Sequence, residues 1–150
     1  MNTLINAEQV GALAFGCGEM VHHEIISECD IVEAEERYIR PILGDKLLTA
    51  LCEGRYPELM SDYVAPALAA WCRYVVEPHV VSRCSLCDNV TSADNERLNI
   101  VMSHLRRQAS TLTQRLSRHL NSHIADYKEY NPKSNPLNRC SIYGSIVQVY

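Results

Sequence analysis

DNERLNIVMSHLRRQASTLTQRLSRHLNSHIADY, residues Asp94 to Tyr127, decides the fold, because it contains no Gly and no Pro. Apolar residues recur along it at Leu98, Val101/Met102, Leu105, Ala109, Leu112, Leu116, Leu120, Ile124 and Tyr127. Steps of three and four keep these side chains on one face and predict a single amphipathic helix. The opposite face carries Arg106, Arg107, Gln108, Gln114, Arg115, Arg118, Asn121 and Ser122. Ser92 or Asp94 is the expected N-cap, and Asn131-Pro132 the expected stop. A helix over about 94–128 is roughly 50 Å long, whereas a compact domain of this chain length is roughly 40 Å across. It is expected to act as a spine for shorter helices and to outreach them.

Those shorter helices lie upstream. Asn6 with Gln9 three residues on is a capping box for a helix from Ala7 to about Phe15, ended by Gly16-Cys17-Gly18. Residues 19–27 fit a short helix or an extended crossing equally. Asp30, with Glu33 at its third position, reads as the next cap, for a helix that carries Ile31, Ala34, Tyr38 and Ile39. Glu33, Glu35 and Glu36 read as its solvated face. Pro41 predicts a break or kink at Arg40, and Gly44 is free to take positive φ in the following turn. Asp45 to about Cys52 is a short Leu-rich helix ended by Gly54. Pro57 opens another helix, with a bend expected at Pro66 and a break or bend at Pro78.

After Asn131 the composition changes. The segment Asn131–Pro136 reads as a linker, and Ser141 to Tyr150 is rich in β-formers. The chain thus divides into a helical domain, 1–130, and a linker with a C-terminal arm, 131–150. The fold class is all-α, a helical bundle around one long helix with an extended, β-prone arm. Ile142, Tyr143, Ile146, Val147, Val149 and Tyr150 would make such an arm's partner contacts. A lone β-prone segment needs another strand beside it, from its own domain or from another chain.

The 150 residues suit one domain with a useful core; net charge is −4 and mean hydropathy −0.16. Nothing in the overall charge predicts nucleic-acid binding. No apolar run reaches the roughly 20 residues needed to span a bilayer, and the N-terminus lacks a signal-peptide pattern. An odd count of seven cysteines, several within helical patterns, reads as free thiols in a cytoplasmic chain.

Motifs that would carry chemistry are sparse. Cys84-Ser85-Leu86-Cys87 is a CxxC, but no strand precedes it and no second pair accompanies it; His79 and His104 are the nearest further ligands. His119 and His123 stand four apart and could pair on a metal, yet only Asp126 is near them. There is no nucleophile elbow, phosphate-binding Gly loop or dinucleotide fingerprint. The reading is a non-enzyme without a cofactor or metal site. Arg106, Arg107, Arg115 and Arg118 make either a solvated face or a face that meets an acidic partner or DNA.

One block is more specific. Ala34-Glu35-Glu36-Arg37-Tyr38-Ile39-Arg40-Pro41-Ile42-Leu43-Gly44-Asp45-Lys46-Leu47-Leu48 resembles a pattern in small helical proteins of Bacteroides-type bacteria and their phages, with Tyr38, Pro41 and Gly44 as structural anchors. Tyr63-Val64-Ala65-Pro66-Ala67, and a long helix ending near Tyr127 and Tyr130-Asn131-Pro132, are similar too. The family is that of head–tail connectors (adaptor or head-completion proteins) of tailed phages. The resemblance implies a homo-oligomeric, commonly twelve-fold ring beneath the portal protein in the virion neck. It also implies terminal segments that reach neighbouring subunits, portal or tail proteins, and no membrane. Packaged DNA would be a non-specific neighbour. The alternatives are another helical protein–protein interaction module, such as a chaperone or regulator, and a Cys/His metal or thiol protein.

Overall fold

Prolines and their missing N–H groups shape the first half of the chain. The computed structural model describes residues 3–16, 26–84, 92–143 and 146–149, with side chains over 3–16, 26–79 and 95–139. The fold is all-α, with one short pair of strands near the C-terminal end of the described residues. Helix α1, Ala7–Ala14, starts at the expected capping box: Asn6 accepts the Gln9 N–H, and Gln9 accepts that of Asn6. Helix α2, Glu28–Ala34, starts earlier than expected. Its cap is Ser27, and Asp30 is the third-position partner that reaches back. Ser27 outcompetes Asp30 because the Ser27/Asp30 pair satisfies two end N–H groups reciprocally. Residues 17–25 and 85–91 lie outside the described residues.

Of the break or kink expected at Arg40, there is no break but a local distortion of the helix. A π turn, Glu35–Ile39, leads straight into α3, Arg40–Leu43. Within a regular helix the Pro41 ring would press on the Arg37 carbonyl and leave it without a donor. The Arg40 N–H instead reaches back to the Glu35 carbonyl, and this wider turn makes room. The same device recurs downstream. Helix α5, Pro57–Leu59, passes through a π turn, Met60–Val64, into α6, Ala65–Cys84, and Ala65 donates to Met60. Pro66 follows as Pro41 does. At Pro78 the helix continues without interruption. Between the two devices, Gly44 takes φ +75° before α4, Asp45–Cys52.

Helix α7, Ser92–Ser122, packs chiefly against α6. Asp94 therefore lies inside its first turn. Its buried stripe is shorter than the sequence repeat: Leu105, Ala109, Leu116 and Leu120 are buried, whereas Val101 and Ile124 are exposed. The helix also ends five residues before Tyr127. His123 N–H reaches both His119 and Leu120 carbonyls, and Asp126 donates to His123, so the chain tightens into turns. Side chains hold that departure: the Tyr130 hydroxyl donates to Asn121, and Asn121 exchanges two amide bonds with Asn138. Local side-chain partners thus displace further helix.

The segment that reads as a linker is tied to α7. Asn135 is 0% exposed; its amide donates to Ser117 Oγ at 2.8 Å and to the Tyr130 hydroxyl at 2.9 Å, and its carbonyl accepts the Leu137 N–H. Beyond a 3-10 turn at Pro136–Asn138, strands β1, Cys140–Tyr143, and β2, Ile146–Val149, pair antiparallel, with Ile142 opposite Val147.

The core gathers α1, α2, α6 and α7 around Val10, Ile31, Leu43, Leu68, Leu116 and Leu120. Two polar features sit inside it. Glu35 is 7% exposed, contrary to its reading as part of a solvated face, and accepts the Leu4 N–H at 3.0 Å. Burial pushes its carboxyl above the usual range, and the Leu4 bond pulls the other way. Cys72 is fully buried, and burial pushes its thiol up to about 12. No helix among the described residues is long and apolar enough to cross a membrane.

Candidate functional site

The turn before Pro66 delivers Tyr63 to the lower end of α7. There its ring lies flat on His119, with centroids 4.0 Å apart and planes 17° apart. His119 Nε2 is 2.9 Å from the Tyr127 hydroxyl, and Tyr127 meets Tyr56 edge-on at 5.1 Å. Tyr56 itself has φ +56°, a left-handed conformation that costs a non-Gly residue roughly 1–2 kcal/mol. Two anchors hold it: Pro57 opens α5 behind it, and its hydroxyl donates to Glu129 at 2.7 Å. Arg55 pairs with the other Glu129 oxygen at 3.0 Å.

These rings, with Glu58, Asp62, His123 and Asp126, line a cavity of about 550 Å³. That is within the usual size range of small-ligand sites. Burial holds the His119 imidazole below the usual His range, helped by neighbouring His123 and the Arg115 guanidinium and opposed by Asp126. Burial raises the Tyr127 phenol, and the bond to Glu129 raises that of Tyr56. The downward shift at His119 favours the uncharged form of its ring. The site offers aromatic walls, an imidazole and three carboxylates, an arrangement that favours a flat cation.

The turn before Pro41 builds a second, smaller cleft on the other flank of α7. It measures about 260 Å³ and includes Arg37, Tyr38, Pro41, Trp71 and Leu137 in its walls. Tyr38 stacks on Trp71 at 3.8 Å with planes 3° apart, and Tyr74 meets both rings edge-on. The indole N–H donates to Thr113 Oγ1 at 2.8 Å, and Thr113 donates on to the Ala109 carbonyl. The buried hydroxyl is thus fully used. Tyr38 and Pro41 frame this cleft, and Gly44 makes the turn beyond it.

The four arginines do not form one face. Arg106 and Arg115 are nine residues apart, about two and a half turns, and so point to opposite flanks. Arg106 acts electrostatically on Tyr38, whereas the Arg115 guanidinium lies 4.9 Å from the Tyr63 ring centroid. Arg107 and Arg118, eleven residues apart, share the solvent side. Ile142, Tyr143, Ile146, Val147 and Val149 fall in the paired strands; their side chains, Tyr150, Cys87 and the Cys84 thiol lie outside the described residues. Among the described residues no three His, Cys, Asp or Glu side chains gather to hold a metal ion.

Sequence spacing does not reveal that Tyr56 and Trp71 belong to these sites, because their partners are far away in the chain; Tyr127 is only eight residues from His119, but the helix ends between them. Tyr63 does carry a signal. Tyr63-Val64-Ala65-Pro66-Ala67-Leu68 repeats Tyr38-Ile39-Arg40-Pro41-Ile42-Leu43 in pattern. Compared with known protein families, curated proteins and solved structures, the chain matches none of them.

Proposed function

We propose that this chain is a structural subunit of a self-assembling ring, a head–tail connector in the neck of a tailed-phage virion. The observation that carries this reading is the start of α7. Along residues 95–104 nearly every side chain is exposed, including Ile100 at 66% and Val101 at 39%. A helix that holds apolar side chains in solvent over almost three turns suits contact with another chain. In this reading α7 is the spine of the subunit and its upper end reaches a neighbour.

The C-terminal arm supports the same conclusion. Its two strands pair only with each other among the described residues, and an isolated two-stranded hairpin is marginal in water. Its outer edges are open to strand addition by a portal, tail or neighbouring subunit. Arg118, on the solvent side of α7, suits non-specific contact with packaged DNA. The resemblance around Tyr38, Pro41 and Gly44 adds the family assignment.

Electron microscopy and sedimentation of the purified protein, alone and with portal, test the proposal. Rings or portal-bound oligomers are expected. A protein that stays monomeric in both conditions would overturn it. Deleting Cys140–Tyr150 should weaken docking while leaving far-UV circular dichroism essentially helical.

A further inference from the structure

The two ends of α7 carry complementary chemistry. At the lower end, the cavity is lined by Tyr63, His119 and Tyr127 and by the carboxylates of Glu58, Asp62 and Asp126. No Lys or Arg lines it, and none of the three carboxylates belongs to an ion pair among the described residues. Ile124, next to His123 in the chain, is exposed. At the upper end, Arg97, Ile100, His104 and Arg107 follow one another at steps of three and four and share one exposed face. Arg97 and Arg107 also have no ion pair among the described residues.

We propose that the Tyr63–His119–Tyr127 cavity receives an arginine side chain from the Arg97–Arg107 face of a second copy of this chain. The proposal rests on the assembly reading above and names the contact through which subunits would join. Three observations carry it. The first is charge: on one surface three carboxylates, on the other two guanidinium groups with Glu96 beside Arg107 in the same groove, and none of the five carboxylate and guanidinium groups that would meet is in an ion pair among the described residues. The second is shape and ring chemistry: a guanidinium is flat and favours aromatic faces, and since His119 and Arg115 already cover the Tyr63 ring, the rings left to meet it are Tyr56 and Tyr127. The third is distance. Arg107 and His119 are twelve residues apart on one rigid helix, about 18 Å along its axis, and Arg97 is farther still. A chain cannot fill its own cavity with its own stripe, so the pairing is between copies.

Because the two patches differ, the contact is head-to-tail. Such contacts leave one patch free at each end and propagate until the rotation closes a ring.

Sedimentation velocity of three preparations tests this: wild type, the cavity variant D62K/D126K, and the stripe variant R97E/R107E. Far-UV circular dichroism first confirms that each keeps its helices. The wild type is expected to self-associate, and each variant alone to associate at least tenfold more weakly. An equimolar mixture of the two variants is expected to regain association, since the intact stripe of one fits the intact cavity of the other. If the wild type associates and D62K/D126K associates equally well, the cavity contact is overturned while the assembly reading stands. If both variants weaken but the mixture restores nothing, the head-to-tail pairing is overturned. A wild type that stays monomeric, alone and with portal, overturns both readings. Arginine amide that shifts the His119 ring resonances without weakening association would assign the cavity to free cations and overturn the proposal as well.

Discussion

The turns before Pro41 and before Pro66 share one backbone device and differ in what encloses them. Each is a π turn that ends two residues before a proline, with a tyrosine three residues ahead of that proline. Each buries a β-branched residue, Ile39 or Val64, and then a leucine, Leu43 or Leu68. At the first, Tyr38 lies on Trp71, whose indole N–H is satisfied inside the core, and the C-terminal segment closes over the side through Pro136 and Leu137. At the second, Tyr63 lies on His119, a titratable ring beside a larger cavity edged with carboxylates. The missing donor of a proline fixes the path of the chain. Partners from distant sequence decide whether the tyrosine becomes part of the core or part of a surface.

The comparison breaks most visibly at Trp71. Trp71→Ala should cost about 3–5 kcal/mol, because it empties the core beneath Tyr38. His119→Ala, under the equivalent Tyr63, should cost much less. Urea midpoints for the two variants would measure the difference, and equal losses would mean the two turns are enclosed alike.

Next in size is Asn135→Ala. It leaves the Leu137 N–H without its partner and takes a donor from Ser117 and Tyr130, which should cost about 1–3 kcal/mol. Amide exchange should accelerate at Leu137 and leave Leu59 and Val64 unchanged, which would show that the C-terminal segment closes only the Tyr38 side.

Two pH experiments then separate the turns through their titratable groups. Glu35, at the start of the first, has a raised folded value because burial favours its neutral form. Its contribution is full below the usual carboxylate range and is lost as pH rises through the raised value. Glu35→Gln should therefore match the wild type in acid and exceed it at neutral pH in thermal melts. His119, beneath the second, has a lowered folded value, so its contribution is present above the usual His range and is lost as pH falls through the lowered value. His119→Phe keeps a ring on Tyr63 and should flatten that fall, the smallest of the four effects. His123, Arg115 and Asp126, which face the same ring, remain in place.

Much of the helical plan is written locally. The Asn6/Gln9 capping box, the positive φ of Gly44 and the Asp45–Cys52 helix follow from residues a few positions apart, and the structure has them where spacing put them. The choice of Ser27 over Asp30 is also local, but both satisfy the same rule, and only the reciprocal bond decides. The π turns are half legible: a proline announces a disturbance, and only packing on both sides keeps the helix going through it. The candidate site is least legible. Glu35 looks like its exposed neighbours Glu33 and Glu36 until the Leu4 N–H arrives from 31 positions away. Asn135, in a Pro/Asn-rich stretch, looks like a linker residue until Ser117 and Tyr130 close over it.

Cys72 has one more consequence. Its thiol is sealed in the core, whereas Cys29 and Cys52 are exposed. An alkylating reagent can modify it only when the surrounding helices part. Mass spectrometry of the alkylated peptide bearing Cys72 would thus clock the opening of this bundle with no substitution in the chain, in the free subunit and inside any larger particle.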